Sequence, residues 1–327
     1  MRPLLEVKDL KVEFPTRRGV LTALNGVSFH INRGEVLGVV GESGAGKSLT
    51  GMSIIRLLDA PGRIAGGEIN FDGKRLENLT EEQMRKVRGN EIGAIFQDPL
   101  TSLNPLYTVG HQLIETIQTH LGLTHKQAYK RAVELLESTG IPAARDRIYH
   151  YPHQFSGGMR QRVVIALALA AEPKLIVADE PTTALDVSIQ AQIIDLIKNL
   201  CRENNTAVML ITHDMGVIAE TADRVAVMYA GRIIETGLVK QVIQDPLHPY
   251  TSGLMRSIPN INNIVERLEQ IPGSMPRLNN IPSGCAFNPR CSRVMDICQS
   301  TRPELSDSKG RMVACWLHNE PQEGSYE

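Results

Sequence analysis

The chain has 327 residues, enough for about two domains, and 42% of them are apolar, which is sufficient for a hydrophobic core. Its longest unbroken apolar run, from Val163 to Ala171, has nine residues, far fewer than the roughly 20 that a membrane-spanning helix needs. A net charge of −1 gives no general attraction to nucleic acid, and Met1-Arg2-Pro3 leads into strand-like sequence and not into a signal peptide. We therefore expect neither a membrane-embedded nor a nucleic-acid-binding protein.

The region from about Leu4 to Ile95 is predicted to be rich in β-strands, because apolar residues recur there at strand-like intervals. The residues that define these strands are Val7, Leu10, Val12 and Phe14, followed by Leu24, Val27, Phe29 and Ile31. The apolar run 36–40 then predicts a buried strand directly before a glycine-rich turn.

That turn, from Gly41 to Ser48, reads G-E-S-G-A-G-K-S and matches the phosphate-binding pattern G-x-x-x-x-G-K-[ST] at every fixed position. It follows a predicted strand and opens a predicted helix, as such a loop does. Its backbone N–H groups would form an anion site, Lys47 would reach the phosphates, and Ser48 would offer a hydroxyl to Mg²⁺. The alternative is a glycine-rich turn that merely opens a helix. The predicted nucleotide-binding residues here are Gly41, Ser43, Gly44, Ala45, Gly46, Lys47, Ser48 and Leu49.

From about Gln97 to Leu169 the pattern becomes helical. Helices are predicted over 112–120 and 126–139, the second with Thr124 as its N-cap and Gly140 at its end. A further helix follows the sequence F-S-G-G-M at 155–159, and the serine with the two glycine amides would form an anion site at its N-terminus.

Two carboxylates follow the next predicted strand, which reads L-I-V-A at 175–178. Asp179 and Glu180 come directly after it, at the strand end where open α/β sheets bind their ligands. Asp179 suits a Mg²⁺ shell, and Glu180 is suited to orient or deprotonate an attacking water. Strands and helices alternate on to about Gly237, which predicts a mostly parallel sheet.

In this order and spacing the motifs resemble those of the ABC-transporter ATPases. The matching features are the phosphate loop, Gln97, the S-G-G signature, Asp179-Glu180, the A-L-D sequence ending at Asp186, and His213. Three further stretches resemble the branch that imports peptides and nickel: Q-D-P-L-T-S-L-N-P from Gln97, Y-P-H-Q-F before the signature, and P-L-H-P-Y from Pro246. Essentially the whole chain is similar to the ATP-binding subunits of bacterial dipeptide and oligopeptide importers, most of all the dipeptide type.

This resemblance implies an α/β fold with a P-loop NTPase core of the ABC type. The core, residues 1–245, would contain an antiparallel β subdomain and a helical subdomain at about 97–170. A small cysteine-rich extension would occupy 246–327. The implied activity is ATP hydrolysis that drives import of dipeptides or other short peptides across the bacterial inner membrane.

The resemblance also assigns roles to single residues. Glu180, His213 and Gln97 would be catalytic, and Mg²⁺ would be held by Ser48, Gln97 and Asp179. Ser156, Gly157 and Gly158 would complete the ATP site of a partner subunit, beside Asp186. Phe14 would stack on adenine, although packing in the core is an equal alternative. The alternatives for Gln97 and His213 are a surface amide and a core histidine.

The implied partners are a second ATP-binding subunit, two transmembrane permease subunits and, indirectly, a periplasmic peptide-binding protein. The expected location is peripheral, on the cytoplasmic face of the inner membrane. This signature departs from the family pattern, because Phe155 and Met159 replace the usual leucine and glutamine. A weakened signature favours a paralogous, non-identical partner, and a neutral variant is the alternative.

The five cysteines fall into two groups. Cys201 stands alone in a predicted helix and is expected to be an inert thiol. The other four, Cys285, Cys291, Cys298 and Cys315, lack the close C-x₂₋₄-C pairs typical of zinc sites, and a cytosolic location disfavours disulfides. Unlinked thiols, a zinc site and a [4Fe–4S] cluster all remain open on spacing alone. Arg290, Arg293, Arg302 and Arg311 lie near these cysteines in sequence and would offset a cluster's negative charge. The similar tail of the peptide importers favours the [4Fe–4S] cluster, with zinc as the alternative.

Other functions stay open beside peptide import. Similar subunits serve importers of nickel, glutathione and haem. A soluble ATPase acting on DNA or ribosomes would need a coiled-coil insertion or a second cassette, and the sequence has neither. In a further alternative, the cysteines form a redox-responsive iron–sulfur module for which the ATPase is the switch.

Overall fold

The structure, a computed structural model, describes residues 2–183, 185–257 and 270–318. The strands in these ranges are β1 (Leu5–Thr16), β2 (Gly19–Ile31), β3 (Val36–Val40), β4 (Arg63–Phe71), β5 (Lys74–Arg75), β6 (Ile92–Ile95), β7 (Leu175–Asp179), β8 (Ala207–Ile211), β9 (Arg224–Tyr229), β10 (Arg232–Leu238), β11 (Ser306–Ser308) and β12 (Arg311–Val313). The α-helices are α1 (Lys47–Ile54), α2 (Glu81–Val87), α3 (Pro99–Ser102), α4 (Val109–Leu121), α5 (His125–Ser138), α6 (Ala144–Arg147), α7 (Gly157–Leu169), α8 (Val187–Glu203), α9 (Met215–Thr221), α10 (Val239–Gln244), α11 (Pro249–Arg256) and α12 (Asp296–Ser300). None of these helices is both long and apolar enough to cross a bilayer.

One compact unit, unit 1, comprises the described residues of 1–4, 31–36 and 78–211. Its strands β6, β7 and β8 pair in parallel, with Ile95 opposite Ala178 and Asp179 opposite Ile211. All of β8 and all of β7 except Asp179 are buried or nearly so, as parallel strands covered on both faces are. The carboxyl ends of β6 and β7 therefore carry Gln97 and the pair Asp179-Glu180 to one edge of these strands.

The other compact unit, unit 2, comprises the described residues of 5–30, 37–77 and 212–327 and contains two groups of strands. The first has the order β2-β1-β4-β5, in which β4 pairs antiparallel with β1 and β5. The spacing of Val7, Leu10 and Val12 is irregular because the β1–β4 register shifts after Lys8, next to Asp9 at a φ of +48°. This bulge keeps all three apolar side chains in the core.

The second group in unit 2 is mixed, which corrects the expectation of alternating strands and helices up to Gly237. β3 and β9 are parallel, but β10 returns directly from β9 as an antiparallel hairpin. The turn residues Ala230 and Gly231 have φ values of +46° and +75°, the left-handed backbone that tight hairpin turns use. A Cβ on Gly231 would collide with the carbonyl oxygen of Ala23, so glycine is required there.

The capping signals of the longest predicted helix in the helical region are confirmed. Thr124 precedes α5 and forms a capping box with Gln127, whose Oε1 accepts a hydrogen bond from the Thr124 N–H at 3.0 Å. Gly140, at a φ of +74°, ends the helix.

The carboxy-terminal segment, residues 246–257 and 270–318, packs on the second strand group of unit 2. Strand β12 pairs antiparallel with β10, and β11 extends the sheet from β12. The ring of Phe287 meets the edges of Tyr229 and Tyr250 at centroid distances of 5.3 and 5.4 Å. The segment thus shares the hydrophobic core of unit 2.

Candidate functional site

The phosphate loop lies between β3 and α1 in unit 2, and its lysine is held by the loop itself. Lys47 is buried, and its Nζ donates to the carbonyl oxygens of Gly41 at 2.8 Å and Glu42 at 3.1 Å. Gly46 caps α1 at a φ of +102°, and a Cβ there would come within 2.7 Å of Leu24. Gly46 and the two hydrogen bonds of Lys47 therefore hold the loop in one conformation. Ser48 is exposed in the first turn of α1.

Glu180 is the centre of a hydrogen-bonded cluster in unit 1. Its Oε2 accepts hydrogen bonds from Gln97 Nε2 at 3.0 Å and from Thr183 Oγ1 at 2.9 Å. Its backbone has a φ of +46°, in the left-handed region that non-glycine residues seldom adopt. The Glu180 N–H is fixed by the carbonyl oxygen of Ile211 at 2.9 Å, and the Glu180 carbonyl accepts from the Thr183 N–H at 3.2 Å. The carboxylate that the sequence analysis assigned to water activation is thus oriented by two donors.

The signature region, also in unit 1, forms the start of α7 as predicted. Ser156 is the N-cap, and its hydroxyl accepts from the Met159 N–H at 3.4 Å. Arg147 Nη1 lies 3.7 Å from the sulfur of Met159. Phe155 is buried, with its ring edge-on to His150 at 6.2 Å. Both departures from the family pattern therefore have packing partners inside unit 1.

Three other predicted residues have defined positions. His213 is exposed and directly follows Thr212. The Thr212 N–H donates to the carbonyl oxygen of Val39 in β3 at 3.1 Å. His213 therefore lies near the strand that leads into the phosphate loop. Phe14 is half-buried, in contrast to the fully buried Leu10, and its ring packs against Gly62. Asp186 is exposed at the N-cap of α8.

Comparison with known proteins identifies the family. A model of the ABC transporter family matches residues 24–183, and a model of the oligopeptide/dipeptide transporter C-terminal region matches residues 234–298. The oligopeptide transport ATP-binding protein AppD of Bacillus subtilis (strain 168) is 49% identical over 98% of this chain and 98% of its own length. The chain belongs to the ABC transporter family. OppD, the oligopeptide transport ATP-binding protein of Escherichia coli (strain K12), is 49% identical over 96% of this chain and 93% of its own length.

Solved structures agree with this assignment. The dimeric ATP-binding cassette MJ0796, in a post-hydrolysis state bound to ADP and Pi, has a TM-score of 0.65 and 29% identity. The match covers 72% of this chain and 98% of the MJ0796 chain. The cassette fold is therefore that of an ABC ATPase, and the protein is an ATP-hydrolysing transporter subunit. The names of these relatives give no support to the alternative of an iron–sulfur redox switch.

The four tail cysteines of this ABC ATPase line one cavity in unit 2, together with Phe287, Trp316 and other residues. Burial, together with smaller contributions from the neighbouring thiols, raises the pKa of Cys285, Cys291 and Cys315, the last to about 11. Among the described residues, no group of three or more His, Cys, Asp or Glu side chains is close enough to bind a metal ion. The four thiols therefore line one cavity, but they are not grouped closely enough in this structure to bind a metal ion.

Four arginines were expected to offset the charge of a cluster at the cysteines; two of them lie beside the thiols and two bind other groups. Arg302 Nε donates to the carbonyl oxygen of Gly284 at 3.2 Å, and Arg293 N–H donates to Cys291 Sγ at 3.4 Å, so both lie beside the thiols. Arg311 instead binds the backbone carbonyls of Gln241 and Asp245. Arg290 forms an ion pair with Glu42 of the phosphate loop.

Two residues that contact the predicted site residues, Thr183 and Glu42, were not identified from the sequence. Thr183 lies outside the motifs of the sequence, although a hydroxyl three residues after Glu180 is within reach of its carboxylate. Glu42 occupies a variable position of the phosphate-loop pattern, and no sequence signal connects it to Arg290, 248 residues away. Cys201, by contrast, is buried as an inert thiol would be, and burial raises its pKa to about 12.

Proposed function

We propose that this ABC ATPase energises the import of short peptides, with dipeptides as the preferred cargo. The observation that carries the proposal is the match of residues 234–298 to the oligopeptide/dipeptide transporter C-terminal region, beside the cassette match. Relatives of nearly the same length are named as oligopeptide transport ATP-binding proteins at 48–53% identity. Both parts of the chain thus resemble the same kind of importer.

In the proposed cycle, the chain binds ATP through the phosphate loop and closes against a second ATP-binding subunit. Lys47 neutralises phosphate charge, and Ser156 with the amides of Gly157 and Gly158 faces the nucleotide of the partner. Glu180, oriented by Gln97 and Thr183, accepts a proton from the attacking water. Loss of the γ-phosphate removes the charge that favoured the closed pair, so the pair reopens.

The residues that would hold Mg²⁺ carry the oxygen donors that this cation prefers. Asp179 supplies a carboxylate and Ser48 a hydroxyl. The side-chain nitrogen of Gln97 donates its hydrogen bond to Glu180, so the side-chain oxygen of Gln97 is the atom that would bind a cation. When bound, Mg²⁺ would neutralise charge on the phosphates.

Uptake measurements test this proposal directly. Cells that lack the gene for this chain should regain uptake of a labelled dipeptide when they produce the wild-type protein, but not when they produce Glu180→Gln. Complemented cells that take up nickel, glutathione or haem, and no peptide, would contradict the proposed cargo.

Membrane permease subunits are the proposed partners, and they would hold the chain at the cytoplasmic face of the inner membrane. Unit 1 exposes large apolar side chains that suit such contacts: Leu106, Tyr107, Tyr149 and Tyr151. Backbone hydrogen bonds from Val109 to His150 and from Gly110 to Ile148 join the two stretches that carry them. Leu106→Glu, at a side chain 79% exposed, should therefore reduce recovery of the permeases with this chain and leave its basal ATPase activity unchanged. Full recovery of the permeases with Leu106→Glu would contradict the proposal that this surface contacts them.

The second ATP-binding subunit is proposed to be a paralogue, with the periplasmic peptide-binding protein acting only indirectly. The support is Met159, which replaces a polar residue of the signature. Restoring the amide with Met159→Gln should raise the ATPase activity of the assembled transporter. A functional transporter that contains two copies of this chain, shown by native mass spectrometry, would contradict the paralogous pair.

We also propose a [4Fe–4S] cluster in the carboxy-terminal segment, with zinc as the alternative. The support is the convergence of Cys285, Cys291, Cys298 and Cys315 on one cavity. Four cysteine ligands suit such a cluster, and a metal would keep these buried thiols deprotonated. Protein purified without air should contain about four iron and four sulfide per chain. Cys298→Ser should remove them and Cys201→Ser should not; stoichiometric zinc without iron, or no metal, would contradict the cluster.

A further inference from the structure

Glu42, the first variable residue of the phosphate loop, is held by the carboxy-terminal segment at two points. Its carboxylate accepts hydrogen bonds from Arg290 Nη1 at 2.9 Å and from Arg290 Nη2 at 3.0 Å. Its backbone N–H donates to the phenolic oxygen of Tyr250 at 2.8 Å. Its carbonyl oxygen accepts from the Nζ of Lys47 at 3.1 Å. A single residue therefore connects the segment to the lysine that binds phosphate.

Arg290 is fixed in place, unlike an ordinary surface arginine. Its side chain is 8% exposed, and its Nε donates to the carbonyl oxygen of Pro272 at 2.7 Å. The guanidinium lies 5.9 Å from the ring centroid of Tyr229 and 5.8 Å from that of Phe287. A two-point contact between a guanidinium and a carboxylate, with the arginine side chain held in place, is stronger than an ordinary exposed ion pair.

The charge of Glu42 matters because of where it lies. A phosphate loop attracts its ligand with inward N–H groups and a lysine, and a free carboxylate in that loop would repel the same phosphates. Arg290 neutralises this carboxylate, and the donation of the Glu42 N–H to Tyr250 fixes the orientation of the peptide group. Farther along the loop, Met275 of the same segment lies 3.8 Å from the position that a Cβ on Gly44 would occupy.

We propose that Arg290 is a positioning residue for ATP, which acts through Glu42 by cancelling a repulsive charge in the phosphate loop. The carboxy-terminal segment then contributes to nucleotide affinity without touching the nucleotide. The proposal depends on the ATP-binding role of the loop and is independent of the transported cargo and of any metal at the cysteines.

The test compares Mg-ATP affinity in the full-length chain and in three variants. Arg290→Ala should raise the Kd for Mg-ATP roughly tenfold or more, because it leaves the Glu42 carboxylate unpaired. Glu42→Gln should instead lower the Kd by a few fold, since it removes the negative charge and keeps the arginine. The double variant should bind Mg-ATP better than Arg290→Ala alone, and added salt should shrink the defect of Arg290→Ala.

These outcomes separate charge compensation from a merely structural contact. A structural contact predicts that the double variant binds no better than Arg290→Ala and that salt has no effect, and either result would overturn the proposal. Tighter binding by Glu42→Gln cannot arise from misfolding, so it keeps the test decisive if Arg290→Ala is unstable. Lys309→Ala is the matched control, because it breaks an exposed ion pair with Asp245 in unit 2 and should leave the Kd unchanged.

Discussion

Acid should destabilise the carboxy-terminal segment through His248. This residue is 1% exposed, and its Nδ1 accepts a hydrogen bond from the Tyr250 N–H at 3.0 Å as the N-cap of α11. Burial, together with a smaller repulsive contribution from His318, lowers the pKa of His248 from 6.5 to about 3. Protonation would also destroy the acceptor that caps the helix.

The direction of the effect follows from proton binding. Below pH 6.5 the unfolded chain protonates this imidazole while the folded protein does not, so the free energy of unfolding falls as the pH falls, down to about pH 3. The slope approaches about 1.4 kcal/mol per pH unit, which gives a loss of about 2 kcal/mol between pH 7 and pH 5 from this residue.

Urea unfolding followed by the fluorescence of Trp316 measures this loss. Trp316 is the only tryptophan of the chain, and its Nε1 donates to the carbonyl oxygen of Thr301, so it reports on the carboxy-terminal segment. His248→Asn keeps a side-chain oxygen that can cap α11 but has no titrating group. The free energy difference between pH 7 and pH 5 should be about 2 kcal/mol smaller in the variant than in the wild type. Equal differences in the two proteins would refute the reasoning.

The proposed catalytic residues and Cys201 give three further predictions. Glu180→Gln should retain Mg-ATP binding and lose about 10²-fold or more in kcat, whereas Lys47→Ala should weaken binding itself; near-normal phosphate release by Glu180→Gln would exclude it as the base. Thr183→Val should lower kcat by about tenfold with KM for ATP unchanged, since it removes one of the donors that orient Glu180, and a change confined to KM would contradict that role. Iodoacetamide at pH 8 should label Cys201 only after denaturation, because its thiol is buried with a pKa of about 12, and fast labelling of the native protein would contradict this.

Local features of the chain were predictable where a short pattern determines the structure. The strand before the phosphate loop, the cap at Thr124 and the strand that ends at Asp179 each depend on neighbouring residues, and each is present. The β9–β10 hairpin was missed because its turn, Ala230-Gly231, is short and lies in a region where parallel pairing was expected. Spacing alone could not assign the tail cysteines, and their convergence depends on packing that no local pattern encodes.

The contacts of Thr183 and Arg290 could not be predicted from the sequence for one shared reason. The same reason explains how the carboxy-terminal segment affects the phosphate loop. A motif specifies residues that are expected to touch the ligand. Thr183 and Arg290 instead contact residues within such motifs, Glu180 and Glu42, and only the fold brings Arg290 to Glu42. Arg290 carries a constitutive charge into a contact that is buried on the arginine side, where it pairs with a phosphate-loop carboxylate. The segment is therefore coupled to the phosphate loop by the charge of Arg290 and by the Tyr250 hydrogen bond, and a change that moves Arg290 away from Glu42 would also change the electrostatic environment of Lys47.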